Sequence, residues 1–131
     1  MFTFTLKTSS RVQFLNITSE IRRAIAETGL KEGTALVYVP HTTAGITINE
    51  AADPAVVSDI NRKLSQLIPV EGSYRHTEGN SDAHIKASLM GSSIQVIVSA
   101  GNLVLGEWQG MFFCEFDGPR TRKAIVKTTS D

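Results

Sequence analysis

The sequence predicts an α+β fold on mainly antiparallel sheets, and three observations carry that expectation. Segments of period-2 alternation outnumber segments of helical periodicity, and the strand-like segments come in adjacent pairs. Nowhere does the chain show the regular strand–helix alternation of a doubly wound parallel sheet.

Phe2, Phe4 and Leu6 alternate with Thr3, Thr5 and Lys7, the signature of a strand with one buried face. Ser9, Ser10 and Arg11 make a turn, and residues 12–17 return as a second strand. Thr18 or Ser19 offers an N-cap to a helix whose inner face is Ile21, Ala24, Ile25 and Thr28, with Gly29 as its stop. Residues 33–39 (GTALVYV) read as a buried strand, which the HTTAG stretch interrupts before a short strand over 46–48. Asp53 followed by Pro54 is a strong helix start: a side-chain cap, then a residue with its backbone angle preset and no amide to waste. Val56, Val57, Ile60, Leu64 and Leu67 continue that helix until Pro69. Residues 70–79 read as a loop, and Asn80 or Ser81 caps a short third helix that Gly91 ends. Residues 94–98, 107–116 and 122–128 are strands, separated by turns at 100–102 and 117–120.

Composition narrows the function classes. A chain of 131 residues, 41% of them apolar, is one domain with a real core. Thirteen basic and thirteen acidic side chains cancel, so no long-range field favours nucleic acid or an anionic membrane, and an anion site must be built locally. Cys114 is the only cysteine, which excludes an internal disulfide and a thiolate metal cluster. The N-terminus lacks a basic start and long apolar run, and no stretch approaches the ~20 apolar residues of a membrane helix. These features set a cytoplasmic expectation. Neither G-x-G-x-x-G nor a Walker-type loop is present.

The chemistry-bearing residues gather at the ends of predicted elements. His41 follows Pro40 at the end of a buried strand, His76 lies in the 70–79 loop, and His84 stands near the start of the third helix. Asn80, His84 and Ser88 are four apart and form a polar stripe, beside an apolar one of Ile85 and Leu89. Small polar groups around an imidazole suit a cavity wall. Any one histidine is nevertheless more often a surface or hydrogen-bonded residue than a ligand, and the His-x7-His spacing matches no standard zinc motif. Glu50 sits at a strand end; locally it approaches the next helix, and chemically it is a candidate base or a carboxylate that orients an imidazole. Asn80 and Asp82 are helix-capping groups first and ligand contacts second. Arg120 and Arg122, two apart, share a face if both lie on one strand, and then both reach one anion; an edge-strand charge is the competing account. Trp108 and Gln109 follow Gly106, and a lone tryptophan there is a core or interface anchor or a stacking surface.

Taken together, the runs HTTAGITINE, HTEGNSDAHIKASLMGSS and LGEWQGMFFCEFDGPRTR resemble, in order, the landmarks of the YjbQ-like family, over nearly the whole chain. That resemblance implies a two-sheet α+β sandwich with two longer helices and one short one, assembled as a threefold-symmetric trimer. It implies a secondary thiamine-phosphate synthase activity, which joins a hydroxymethylpyrimidine diphosphate to a thiazole phosphate and releases pyrophosphate. By similarity His41, His76 and His84 bind a metal or ligand, and Thr43, Asn49, Glu50, Asn80, Gln109 and Arg120 fall in the family's motifs. On this reading Glu50 and Arg120 are catalytic, and Arg122 joins Arg120 at a phosphate. Neutral imidazoles suit zinc better than magnesium, whereas diphosphate chemistry favours magnesium. A metal-dependent hydrolase and a non-catalytic binder of a small anion are the alternatives. Two departures are visible: Glu107 stands where the family commonly has a small or hydroxyl residue, and the loop before His84 is shorter than the typical acidic one.

Overall fold

In a β-strand successive side chains point to opposite faces, so alternation decides which faces can meet. In the computed structural model, which describes residues 1–131, two sheets meet on such faces. The larger contains β1 (Phe2–Lys7), β3 (Gly33–Tyr38), β5 (Ser93–Ser99), β6 (Asn102–Leu103) and β8 (Thr121–Ser130), in the order β1-β8-β3-β5-β6. The smaller contains β2 (Gln13–Asn16), β4 (Ala44–Glu50) and β7 (Gln109–Glu115), in the order β2-β7-β4. Every pairing is antiparallel, as the adjacent strand-like pairs predict.

Between the sheets lies the main core. Ala35 and Val37 of β3, Val96 and Val98 of β5, and Ala124 and Val126 of β8 meet Ile46 of β4 and Met111 and Phe113 of β7. Helix α1 (Thr18–Thr28) contacts β6, β7 and β8 and adds Ile21, Ala24 and Ile25. Each such side chain is worth about 1.5–3 kcal/mol of burial. The outer face of the smaller sheet carries a second core of Phe112, Cys114 and Phe116, covered by Ala83 and Ala87 of α3 (Ser81–Met90), with Val57 and Leu64 of α2 (Pro54–Leu67) packed against it.

Several boundaries differ from the sequence expectation, each for a local reason. The α1 N-cap is Ile17 rather than Thr18 or Ser19; the Thr18 hydroxyl is spent on Asn16 Oδ1 (2.6 Å) and accepts from the Met111 amide (2.9 Å). β4 begins at Ala44, not at residue 46, because Gly45 lets α3 press directly onto the strand. A Cβ at Gly45 would lie 2.8 Å from the Gly91 carbonyl oxygen, and that same oxygen accepts from the Ile46 amide at 3.1 Å. Glu107 and Trp108 fall in the turn before β7 instead of in the strand, and Trp108 is exposed. The Asp53–Pro54 start is as expected, with Asp53 Oδ1 accepting from the Ala55 amide at 2.9 Å. No helix is long and apolar enough to cross a membrane.

Candidate functional site

The HTTAG stretch ends β3's connection and places His41 at one end of the sandwich. There α3 crosses the start of β4, and His41, Thr42, Ala44, His84, Ala87, Ser88, Gly91 and Ser92 line a cavity of about 510 Å³. On the other side of His84, a cavity of about 460 Å³ is lined by Ser73, Tyr74, Arg75, His76, Ser81, His84 and Ile85. His84 is therefore the shared wall of two cavities, one holding each of the other histidines. His76 and His84 stand edge to face with ring centres 5.3 Å apart. The polar stripe of the third helix does line a cavity, through His84 and Ser88.

Each imidazole has different neighbours. His41 Nε2 accepts the Lys123 amide at 2.9 Å, so its proton sits on Nδ1 in the neutral ring. Burial first, and then the Arg122 guanidinium, hold His41 below its ordinary value, with Glu115 opposing. His76 Nδ1 lies 2.8 Å from Ser81 Oγ, and His76 Nε2 lies 3.8 Å from the Glu78 carboxylate. The His84 ring makes no hydrogen bond to protein; its neighbours are His76 and the two cavities.

This bears on the expected three-histidine metal. Neutral His41 has no spare lone pair, and no three metal-binding side chains of one chain are grouped as a ligand set. The three histidines of one chain, arranged so, do not fit a three-imidazole metal centre; His76 Nε2 and His84 are the two free donors.

Behind His41 lies a buried charge network. Glu115, fully buried on β7, accepts from Arg122 Nε (2.9 Å), Arg122 Nη2 and Thr8 Oγ1 (2.8 Å), and also from the Asp117 amide (3.1 Å). Arg122 Nη2 also donates to Thr43 Oγ1 at 2.8 Å. Burial alone would raise the Glu115 value, but the Arg122 hydrogen bonds reverse this and hold it below the usual carboxylate range. Arg122 (3% exposed) and Thr43 (4%) are therefore sealed inside, and Arg122 does not share an anion with Arg120 as the strand spacing suggests. Arg120 precedes β8 and is exposed; its Nε donates to the Asp117 carbonyl (2.9 Å) and its Nη2 to Asp117 Oδ2 (3.0 Å). Asp117 in turn accepts from Asn80 Nδ2 at 2.8 Å, so the N-cap residue of α3 is tied to the arginine's turn instead of capping its own helix.

The remaining motif residues lie elsewhere. Ala44 pairs with Glu115 at the histidine end of the β4–β7 ladder, whereas Glu50 pairs with Gln109 at the other. Six residues separate the two ends, roughly 20 Å at about 3.4 Å each. Glu50 Oε2 accepts from the Asp53 amide (2.9 Å), Asn49 Oδ1 from the Glu50 amide (2.7 Å), and Gln109 Oε1 from the Gly106 amide (2.7 Å). Within one chain Glu50, Asn49 and Gln109 do not meet the histidines. Glu115, Thr8, Arg11 and Arg75 also take part here, and no sequence motif singles them out as site residues. The signal for Glu115 was present, since a lone carboxylate in the run MFFCEF needs a buried partner.

Fold and site together define an α+β two-sheet protein with a histidine-lined groove beside an arginine-bearing turn. The chain belongs to the family described as UPF0047 protein YjbQ-like, whose model matches residues 2–131. It is 53% identical over 131 residues to UPF0047 protein MJ1081 of Methanocaldococcus jannaschii, covering 100% of this chain and 95% of that one. It is 52% identical over 126 residues to UPF0047 protein YugU of Bacillus subtilis, covering 95% and 96%. Among solved structures, a yjbq/upf0047 family protein of Clostridium acetobutylicum superposes with a TM-score of 0.97 at 55% identity, covering 98% of this chain and 100% of that one. The hypothetical protein APE1520 of Aeropyrum pernix gives 0.94 at 35%, covering 99% and 98%.

Proposed function

We propose that the groove on either side of His84 binds a phosphorylated small molecule and supports a transferase reaction of the thiamine-phosphate synthase type. The observation that carries the reading is His84 itself: a ring free of protein hydrogen bonds, shared by two adjoining cavities, with Arg75 lining one and His41 the other. In that reaction the thiazole nitrogen forms a bond to the pyrimidine methylene carbon, the carbon–oxygen bond to diphosphate breaks, and negative charge grows on the leaving pyrophosphate. Cationic donors fixed where that charge develops lower the barrier. Arg120, held at its Nε and Nη2 by Asp117, is preorganised to present its remaining Nη1. Arg75 supplies further charge, and the His84 ring offers an uncommitted hydrogen-bonding group. Burial and Arg122 keep His41 neutral, and with Nε2 taken by the Lys123 amide its Nδ1–H is left as a hydrogen-bond donor.

The homotrimer expected from the family resemblance is part of this proposal. No residue of α2 is fully buried and Leu67 at its end is 65% exposed, so the helix has apolar surface to give to another copy. An assembly that set one copy's Glu50–Gln109 end against another's histidine end would unite the two motif groups. Light scattering at micromolar concentration tests it, and a stable monomer rejects it. For zinc, two free imidazole donors predict loosely held metal that His76→Ala and His84→Ala remove and His41→Ala does not, read by elemental analysis.

Pyrophosphate release from the paired substrates tests the transferase. Arg120→Lys keeps the charge but loses the two-point hold on Asp117 that aims Nη1, so phosphate-ligand affinity should fall about ten-fold, the order of a charge-assisted hydrogen bond. Phosphate released from a single ester would instead favour the hydrolase, and binding without turnover the non-catalytic binder.

A further inference from the structure

Helix α3 is built with its charges inward. Asp82 is fully buried and the Lys86 side chain is 3% exposed, while Ile85 and Leu89, on the same helix, are 40% and 65% exposed. The apolar side of the helix that meets the sheet is the small Ala83 and Ala87, so the buried polar contacts of Asp82 take a large part in setting its rotation, and with it the aim of His84. The two-point contact to Asp82 comes from outside the helix. Arg11, in the β1–β2 turn, forks onto Asp82 with Nη1 to Oδ2 and Nη2 to Oδ1, both 3.1 Å. Its own carbonyl accepts the Gly118 amide at 3.0 Å, inside the turn that carries Arg120. From that turn Asp117 reaches back to α3 through Asn80 Nδ2 (2.8 Å) while holding Arg120 Nη2 (3.0 Å). Helix, arginine and turn thus form a closed ring of contacts.

We infer that Arg11 is a positioning residue: its side chain fixes α3 and its main chain fixes the 117–120 turn, which sets the separation between His84 and Arg120. The inference rests on the phosphate reading of the groove and adds a residue that touches neither ligand nor imidazole. Lys86 explains why the device can be tested. Its Nζ lies 3.3 Å from Asp82 Oδ2, so the buried carboxylate keeps a cation when Arg11 is changed. An Arg11 variant therefore loses geometry before it loses the fold.

The experiment is a double-mutant cycle on Arg11→Lys and Arg120→Lys, with inorganic pyrophosphate as the probe in titration calorimetry at fixed ionic strength. Arg11→Lys should keep the far-UV circular dichroism of the parent, and its affinity should fall about ten-fold. The double variant should bind no more weakly than the worse single, because both changes disable one contact. Parent-like affinity in Arg11→Lys with only a lower melting temperature, or losses that multiply in the double variant, would overturn the inference and leave the phosphate reading standing. Should Arg11→Lys not fold, Asp82→Asn is read in the same cycle with the same outcomes. A parent protein that does not bind pyrophosphate removes the phosphate reading and this inference together.

Discussion

The two ends of the β4–β7 ladder spend their polar groups in opposite ways. At the Ala44 end, Glu115, Arg122, Thr8 and Thr43 satisfy one another in the interior, and the groove is built on top of them. At the Glu50 end, Asn49, Glu50 and Gln109 each accept one nearby backbone amide at the surface. Both ends are rich in motif residues and both border a cavity, the one at Glu50 and Asp53 being the smaller at about 220 Å³, yet only the Ala44 end has a buried electrostatic foundation. A dense motif marks a place where the backbone needs side-chain partners as readily as one where a ligand does. Burial is what tells the two apart.

The comparison breaks most easily at Glu115. Glu115→Ala strands a buried guanidinium, and an uncompensated buried charge costs about 3–5 kcal/mol. Urea unfolding should show that loss, whereas Glu50→Ala, at the exposed end, should stay within ~1 kcal/mol of the parent. Equal costs at the two ends would refute the contrast.

Acid should act on the same end. Folded Glu115 and Asp82 both lie below the usual carboxylate range; burial opposes this in each, and hydrogen bonds from Arg122 and Arg11 respectively prevail. The unfolded chain then binds more protons than the folded one. Their stabilisation is complete above the unfolded value of about 4 and is lost as pH falls through the folded values. His41, also depressed, adds a loss of the same sign that begins below about 6.5. Melting temperatures should fall monotonically from pH 7 to pH 3, and Glu115→Gln should flatten the lower part of the curve. An unchanged profile in that variant would place the acid sensitivity elsewhere.

The smallest effect belongs to the exposed end. Asp53→Ala removes the cap on the Ala55 amide and should cost about 1 kcal/mol by urea unfolding, without changing phosphate binding. A change in affinity would mean that this end communicates with the groove after all.

Much of the fold could be read from the sequence because it is governed by local pattern. Alternation in residues 2–7 and the Asp53–Pro54 start each fix an element from within a few residues. The α3 region resisted for the opposite reason. Asn80 looks like a cap, but its amide goes to Asp117, thirty-seven positions away, and Asp82 looks like first-turn charge while its partner Arg11 lies seventy-one away. The strand rule pairs Arg120 with Arg122 only if the strand includes both, and β8 starts at Thr121. The histidines were identifiable as candidates, but which of them retains a free lone pair depends on Lys123, whose amide meets His41 only through the sandwich.

Cys114 gives the molecule a built-in clock. The thiol is fully buried in the layer between the smaller sheet and α3, and burial pushes it well above its ordinary value, so it is inert while that layer is closed. An alkylating reagent can reach it only when the helices lift from the sheet, and the sequence holds no other cysteine to blur the signal. The rate of modification in native buffer therefore times the opening of the outer layer by itself, and urea unfolding measures the whole sandwich. The gap between the two free energies states how independently the helix that carries His84 can move.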